Sequence, residues 1–276
     1  MFYRYFFNFL NVFFNIVFAL LRVNRLSNFN YYLKDEFMSS TQINYSSAKI
    51  RKIISWNVNG IFLYLNNNKL KQIIKTIHNL DADLICLQEC FDNSIKNAIV
   101  KNLNFQYPYF ISGSLKKRFI IGEDSGLLVL SKLPIEHVKF YSYSKSSGVD
   151  GWFSNKGVLY FRVDGVNFAN THTQSEDLCY CDIDYKNNPS ITKKQINELL
   201  IHSPFGRNFI LMGDLNNTFA CNVLGIKKNN CDYTFIDDKK CFDYIVPLSD
   251  ENCVGNVSVL KINNNPSDHY PIVGFI

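Results

Sequence analysis

Asp214 and Asn216 stand two positions apart behind the apolar run Phe209-Ile-Leu-Met212, with Gly213 between the run and the carboxylate. A carboxylate and an amide leaving a buried strand in extended geometry point the same way. Together they can orient a water or hold an anionic oxygen, but the same pair also makes an ordinary Asx turn. Its meaning therefore depends on partners elsewhere, and the chain supplies them. Asn57 follows Lys52-Ile-Ile-Ser-Trp56, and Glu89 follows the apolar run Leu84–Leu87. His172 closes a run that begins at Val166, Asp243 sits in Cys241–Val246, and Asp268-His269 precede Tyr270-Pro-Ile-Val273. Singly, each has a structural use as a helix-start carboxylate, a hydrogen-bonded core histidine or a turn cap. Collectively they form the set that metal-assisted attack on phosphorus requires. A hard divalent cation takes oxygen donors and keeps its waters, which suits Glu89 with Asn57. A histidine steadied by a carboxylate accepts a proton near neutral pH, the role that fits His269 with Asp243. Charge growing on phosphoryl oxygens needs donors, for which Asn216, His172 and Lys156 are the candidates.

These groups act together only if one scaffold brings them to one edge. Lys52–Trp56 reads as a strand, Asn67–Leu80 as a helix with Leu70, Ile73, Ile74 and Ile77 on one face, and Ala82–Leu87 as a second strand. Asp92 is placed to cap a helix whose apolar face is Ile95, Ile99, Val100 and Leu103. Ser125–Ile135 reads as a strand closed by a proline turn. Val158–Val163, Asp164-Gly165 and Val166–Thr171 read as a hairpin whose second arm delivers Asn170–Gln174 to an edge of the fold. A helix from about Ser190 to His202 leads into the strand Phe209–Met212. Alternating strands and helices predict an α/β domain, in which strand ends share a cleft.

Hydrophobic residues make up 47% of the 276, against 19% charged, which excludes a disordered chain. The net charge of +5 permits an anionic partner without requiring one. None of the eight cysteines forms a C-x-x-C pair, so a structural zinc site is not expected, and Cys86 reads as a buried thiol. Residues 1–26 are a hydrophobic segment bounded by Arg4, Arg22 and Arg25. On a helical wheel, Arg4, Asn8, Asn11, Asn15 and Arg22 fall inside an arc of roughly 60°. That stripe suits an interfacial helix as well as a signal anchor. Residues 27–48 read as a polar linker, and 49–276 as one catalytic domain.

Ser55-Trp-Asn-Val-Asn-Gly60, Leu87-Gln-Glu89, Asn155-Lys-Gly157, Thr171-His172, Gly213-Asp-Leu-Asn216 and Ser267-Asp-His269 occur in that order. In this the chain resembles the endonuclease/exonuclease/phosphatase superfamily. Asn170-Thr-His-Thr-Gln-Ser-Glu-Asp177 and the closing Ser267–Val273 are most similar to the neutral sphingomyelinases of the bacterial secreted type. The resemblance implies a DNase-I-like four-layer α/β sandwich, with two mixed β-sheets face to face and helices outside. It implies Mg²⁺ as cofactor, with Mn²⁺ or Co²⁺ as substitutes. It places Glu89, Asn57 and Asp268 at the metal, makes His269 the general base held by Asp243, and sets Asp214, Asn216 and His172 around water and phosphate. Lys156 would contact the substrate. The implied reaction is hydrolysis of sphingomyelin or a related phospholipid to ceramide and phosphocholine by a monomer that is membrane-associated or secreted.

Trp56-Asn-Val-Asn-Gly60 also matches the abasic-site endonucleases of the superfamily, so a nuclease acting on DNA or RNA is the alternative. The arginine-containing motif of inositol-polyphosphate 5-phosphatases is absent after Asp243-Tyr244. Basic residues are scattered, with Lys116-Lys-Arg118 the tightest run, which favours lipid over nucleic acid. Trp152-Phe153 is a candidate membrane contact. A catalytically dead, membrane-tethered binding module is disfavoured because every catalytic position is filled.

Overall fold

The computed structural model describes residues 49–61, 66–91, 93–113, 123–146, 154–175, 188–226, 232–249 and 254–276. The N-terminal segment 1–26, the linker 27–48, the Asp92 cap, Lys116–Arg118 and Trp152-Phe153 all lie outside these residues. Among the described residues, no helix is long and apolar enough to cross a membrane.

The first sheet begins with β1 (Lys52–Asn57), beside which β2 (Leu84–Gln88) lies parallel. Between them runs α1 (Asn67–Leu80), which starts where the Asn66 side chain accepts the Lys69 N–H and ends at left-handed Asp81. Its buried residues, Ile73 and Ile77, are one turn apart, so a single face meets the sheet. After β2 come α2 (Asn93–Leu103), β3 (Tyr109–Ser112) and β4 (Leu128–Ser131). β10 (Ser258–Val259) and β11 (Ile272–Phe275) complete a six-stranded sheet of order β10-β11-β1-β2-β4-β3. The second sheet has the order β5-β6-β7-β8-β9, from β5 (Ile135–Ser142), β6 (Gly157–Val163), β7 (Val166–His172), β8 (Ile210–Asp214) and β9 (Asp243–Pro247). α3 (Asn188–Ile201) crosses from β7 to the parallel β8, and the short α4 (Ala220–Leu224) follows β8.

The inner faces of the sheets share one core, in which Ile53, Leu84, Cys86 and Val129 meet Leu159, Phe168, Ile210 and Met212. The outer face of the first sheet packs Ile54, Trp56 and Ile85 on Ile73, Ile77, Ile95 and Ile99 of α1 and α2. The outer face of the second packs Tyr160, Phe209 and Leu211 on Ile196, Leu199 and Leu224 of α3 and α4. Helix, sheet, sheet, helix is the expected four-layer α/β sandwich. One polar bridge crosses the dry centre: Gln88 Nε2 donates to Asn170 Oδ1 at 2.8 Å, and Asn170 Nδ2 to the Leu87 carbonyl at 3.2 Å. Cys86, the expected buried thiol, lies with its sulfur 3.7 Å from that of Met212 across the same layer.

One local expectation needs correction. Ser125–Ile135 is not one strand: β4 ends at Ser131, and Ile135 already pairs with Val163 in the other sheet. The Lys132-Leu-Pro134 turn is therefore the crossing point between sheets. The arm carrying Asn170–His172 is β7, the middle strand of its sheet, between β6 and β8. That central position explains why Asn170, Thr171 and His172 are buried.

Candidate active site

Three adjacent strands of the second sheet set one row of side chains. His172 is the register partner of Asp214, and Asp214 is the partner of Asp243. Cross-strand partners project from the same face about 5 Å apart, so the row follows from pairing alone. β9 runs antiparallel to β8, so Asp243 reaches the row at the start of its strand rather than at its end. Gly213 lets β7 and β8 close up there: its φ is +146°, and a Cβ would stand 2.0 Å from the Thr171 carbonyl oxygen. The first sheet contributes Asn57, partnered with Gln88, and Glu89 one residue further on, in a left-handed conformation with φ +60°.

The two sets meet at Asp214. Its Oδ2 accepts the Asn57 amide at 2.9 Å, and the Nε2 atoms of His172 and His269 stand 3.7 and 3.8 Å from it. The other Asn57 amide hydrogen goes to Glu89 Oε1 at 3.0 Å. Asp214 Oδ1 accepts the Asn216 N–H at 2.8 Å, so the Asx turn and the cleft geometry coexist in one carboxylate. Asn216 is not extended but left-handed, with φ +43°, and its amide donates to the Thr173 carbonyl at 3.1 Å. Lys156, 3% exposed, holds Nζ 3.2 and 3.3 Å from the two His172 ring nitrogens and donates to the Thr173 carbonyl at 3.0 Å. His269 Nδ1 donates to Asp243 Oδ2 at 2.7 Å, and the Phe235 ring packs 5.0 Å from the imidazole centroid. All nine residues singled out in the sequence thus belong to one constellation; Asp268, at its rim, is coupled to Glu89 by charge.

The electrostatics separate the two histidines. Burial, then the charges of Lys156 and His269, push His172 well below its ordinary value and keep it neutral. At His269 burial opposes the charge, but Asp243 and Asp214 overcome it and raise the imidazole to about 10. Burial, followed by Asp243, lifts Asp214 to about 6. Glu89 is pushed up to about 7 by burial and then by Asp268. Without a cation, burial and the neighbouring Asp268 charge favour the protonated form of Glu89. This oxygen-rich face fits a hard divalent ion. Asp214, Asp243 and His269 also bring ligand atoms within 4.8 Å of one another. There the 2.7 Å imidazole–carboxylate bond takes up His269 Nδ1 and Asp243 Oδ2, leaving Nε2 and Asp243 Oδ1.

Several residues escape sequence reasoning. Ser267 Oγ donates to the Asn57 carbonyl at 2.7 Å and accepts the His269 N–H at 3.1 Å. The Trp56 indole and the Asn265 amide both donate to the His269 carbonyl, at 2.9 and 2.8 Å. Thr234 Oγ1 accepts the Asp243 N–H at 3.2 Å. Lys69 of α1 donates to the Asn59 carbonyl at 2.7 Å; burial lowers it, against the charges of Asp268 and Glu89. Only Ser267, two positions before the histidine, carried a local signal. The others act through backbone carbonyls or across distant segments.

A sandwich of this topology, with acid, amide and imidazole gathered at one end of both sheets, defines a class. The chain belongs to the Endonuclease/Exonuclease/phosphatase family, which it matches over residues 54–269. Within that class it is similar to Sphingomyelinase C 2 of Leptospira interrogans serogroup Icterohaemorrhagiae serovar Lai, with 27% identity over 68% of this chain and 34% of the relative. Sphingomyelinase C of Bacillus cereus is 28% identical over 60% of this chain and 54% of its own length. The chain therefore spans between a third and about half of these relatives. Its fold is also that of a mutant beta toxin from Staphylococcus aureus solved with bound magnesium ions. The TM-score is 0.64 at 22% identity, covering 82% of this chain and 99% of the toxin.

Proposed function

We propose that the chain is a Mg²⁺-dependent phosphodiesterase that hydrolyses sphingomyelin, or a related phospholipid, to ceramide and phosphocholine. The observation that carries this reading is the His269–Asp243 pair, bonded at 2.7 Å, with its free Nε2 facing the Asp214 carboxylate. In this reading Asp243 fixes the ring, and Nε2 takes the proton of the attacking water. Asp214 and Asn216 orient that water, and the new P–O bond forms as the bond to the ceramide oxygen breaks, that oxygen taking up a proton from solvent. His172, neutral and backed by Lys156, donates to a phosphoryl oxygen. Glu89, Asn57 and Asp268 would hold the cation, which supplies positive charge to the phosphoryl oxygens as negative charge grows there. With His269 raised to about 10, its base form requires that the surrounding carboxylates be neutralised, a second reason for a cation beside them. The lipid substrate is supported by the likeness to the two sphingomyelinases.

Turnover of sphingomyelin vesicles, set against plasmid and abasic DNA, tests the reading, each with Mg²⁺ and with EDTA. Choline phosphate release that EDTA abolishes is expected. Cleavage of DNA with untouched vesicles would replace the lipid substrate with nucleic acid.

A further inference from the structure

Lys96 of α2 and Asp124 form a buried ion pair, 0% and 5% exposed. Neither residue takes part in the chemistry above. A pair sealed from water gains little stability, because desolvating both charges offsets their attraction. Its bonds show what else it holds. Asp124 Oδ1 accepts the Gly126 N–H at 2.7 Å, and the Gly126 carbonyl accepts the Cys90 N–H at 2.8 Å, one residue beyond Glu89. The Asp124 carbonyl accepts the Asn155 N–H at 3.1 Å, one residue before Lys156, and Glu123 bridges to Ser154 beside it. Gly126 is left-handed at φ +70°, and a Cβ there would meet the Phe91 ring at 2.7 Å. Asp124 thus touches both sides, its carboxylate the turn that follows Glu89 and its backbone carbonyl the segment that carries Lys156.

We propose that Asp124, anchored by Lys96, is a positioning residue that sets the spacing between the Glu89 carboxylate and the Lys156–His172 pair. The inference rests on the reading above for the roles of Glu89 and Lys156. If the spacing is loosened, the metal-side oxygen and the phosphate-side donors no longer address one phosphoryl group. Groups that orient a ligand's surroundings in this way typically cost about 10- to 100-fold in metal affinity or activity when removed.

The experiment uses full-length protein and two readouts: Mn²⁺ affinity by electron paramagnetic resonance, and kcat and KM on sphingomyelin vesicles. A charge-neutral background avoids leaving one buried ion alone. Lys96→Met/Asp124→Ala is expected to lose about 10- to 100-fold in Mn²⁺ affinity and in kcat. Lys96→Met/Asp124→Asn keeps an oxygen for the Gly126 N–H and should recover most of both. Asp124→Glu keeps the pair but displaces the acceptor by a methylene, so it should lose both in the same direction and carries the test if the double variants do not fold. Ile99→Ala, a cavity in the same helix, controls for destabilisation and should lower the melting temperature while leaving metal affinity unchanged. Wild-type affinity and kcat in the Ala double variant or in Asp124→Glu would overturn the proposal, as would an equal loss in Ile99→Ala. A wild-type protein that binds Mn²⁺ but cleaves no phosphodiester would remove the activity reading alone, and the affinity comparison would still decide the positioning role. Absence of both in wild type would remove both.

Discussion

At Asp214 a single carboxylate oxygen is shared by an amide hydrogen bond and two facing imidazoles, and the chemistry of the site is decided by which neighbour carries a proton. His269→Ala should lower kcat by about 10²- to 10⁴-fold with little change in KM, as removal of a general base does. Asp243→Asn keeps the shape but removes the charge that does most to raise the imidazole against the opposing effect of burial. The His269 titration, followed by NMR in the metal-free protein, should then move down from about 10. Glu89 gives the pH signature. Its folded value of about 7 lies above the ordinary 4.5, so its contribution to stability is full below pH 4.5 and is lost as pH rises through 7. Cation binding needs the ionised form and follows the opposite trend. Mg²⁺ should raise the melting temperature more at pH 8 than at pH 5.5, and an equal increment at both would exclude Glu89 as a ligand.

At the scale of elements, three strands in register put His172, Asp214 and Asp243 in one row, and the approach of β7 to β8 at Gly213 tightens it. Gly213→Ala forces a methyl against the Thr171 carbonyl at a φ that alanine rarely adopts. It should cost more than about 1 kcal/mol, read as a lowered unfolding midpoint in urea. Most of the scaffold was legible before the structure. The Asp164-Gly165 hairpin and the apolar stripe of α1 are signals written within a few residues. The crossing at Lys132–Pro134 was not, because Leu128–Leu130 and Ile135 are all apolar strand residues and only their partners assign them to different sheets. The direction of β9 was hidden for the same reason: an antiparallel partner brings its first residue, not its last, to the shared edge. Of the site, the titratable groups were legible by type and spacing. Trp56, Asn265 and Thr234 were not, since their bonds to the His269 carbonyl and the Asp243 N–H join segments that only the fold brings together. Lys69 looks like any lysine on the polar side of an amphipathic helix.

For the molecule as a whole, the hydrophobic segment 1–26 is the remaining expectation with a direct test. Deleting it should move the protein from the membrane to the soluble fraction while leaving Mn²⁺ affinity intact; an unchanged distribution would end the anchor proposal. The order of assembly is set by another feature. β11 pairs with β1, joining Phe275 to Lys52, and Ser267 reaches Asn57 across 210 residues of chain. Contacts of such separation close late, since their loop entropy must be met before they contribute. On the ribosome, β1, β2 and the two helices packed on them can collapse early. The first sheet, however, keeps β1 as an open edge until β11 emerges. A nascent chain therefore carries Glu89, His172 and Asp214 without the imidazole that completes them, and the constellation should close only once residues 267–275 have emerged.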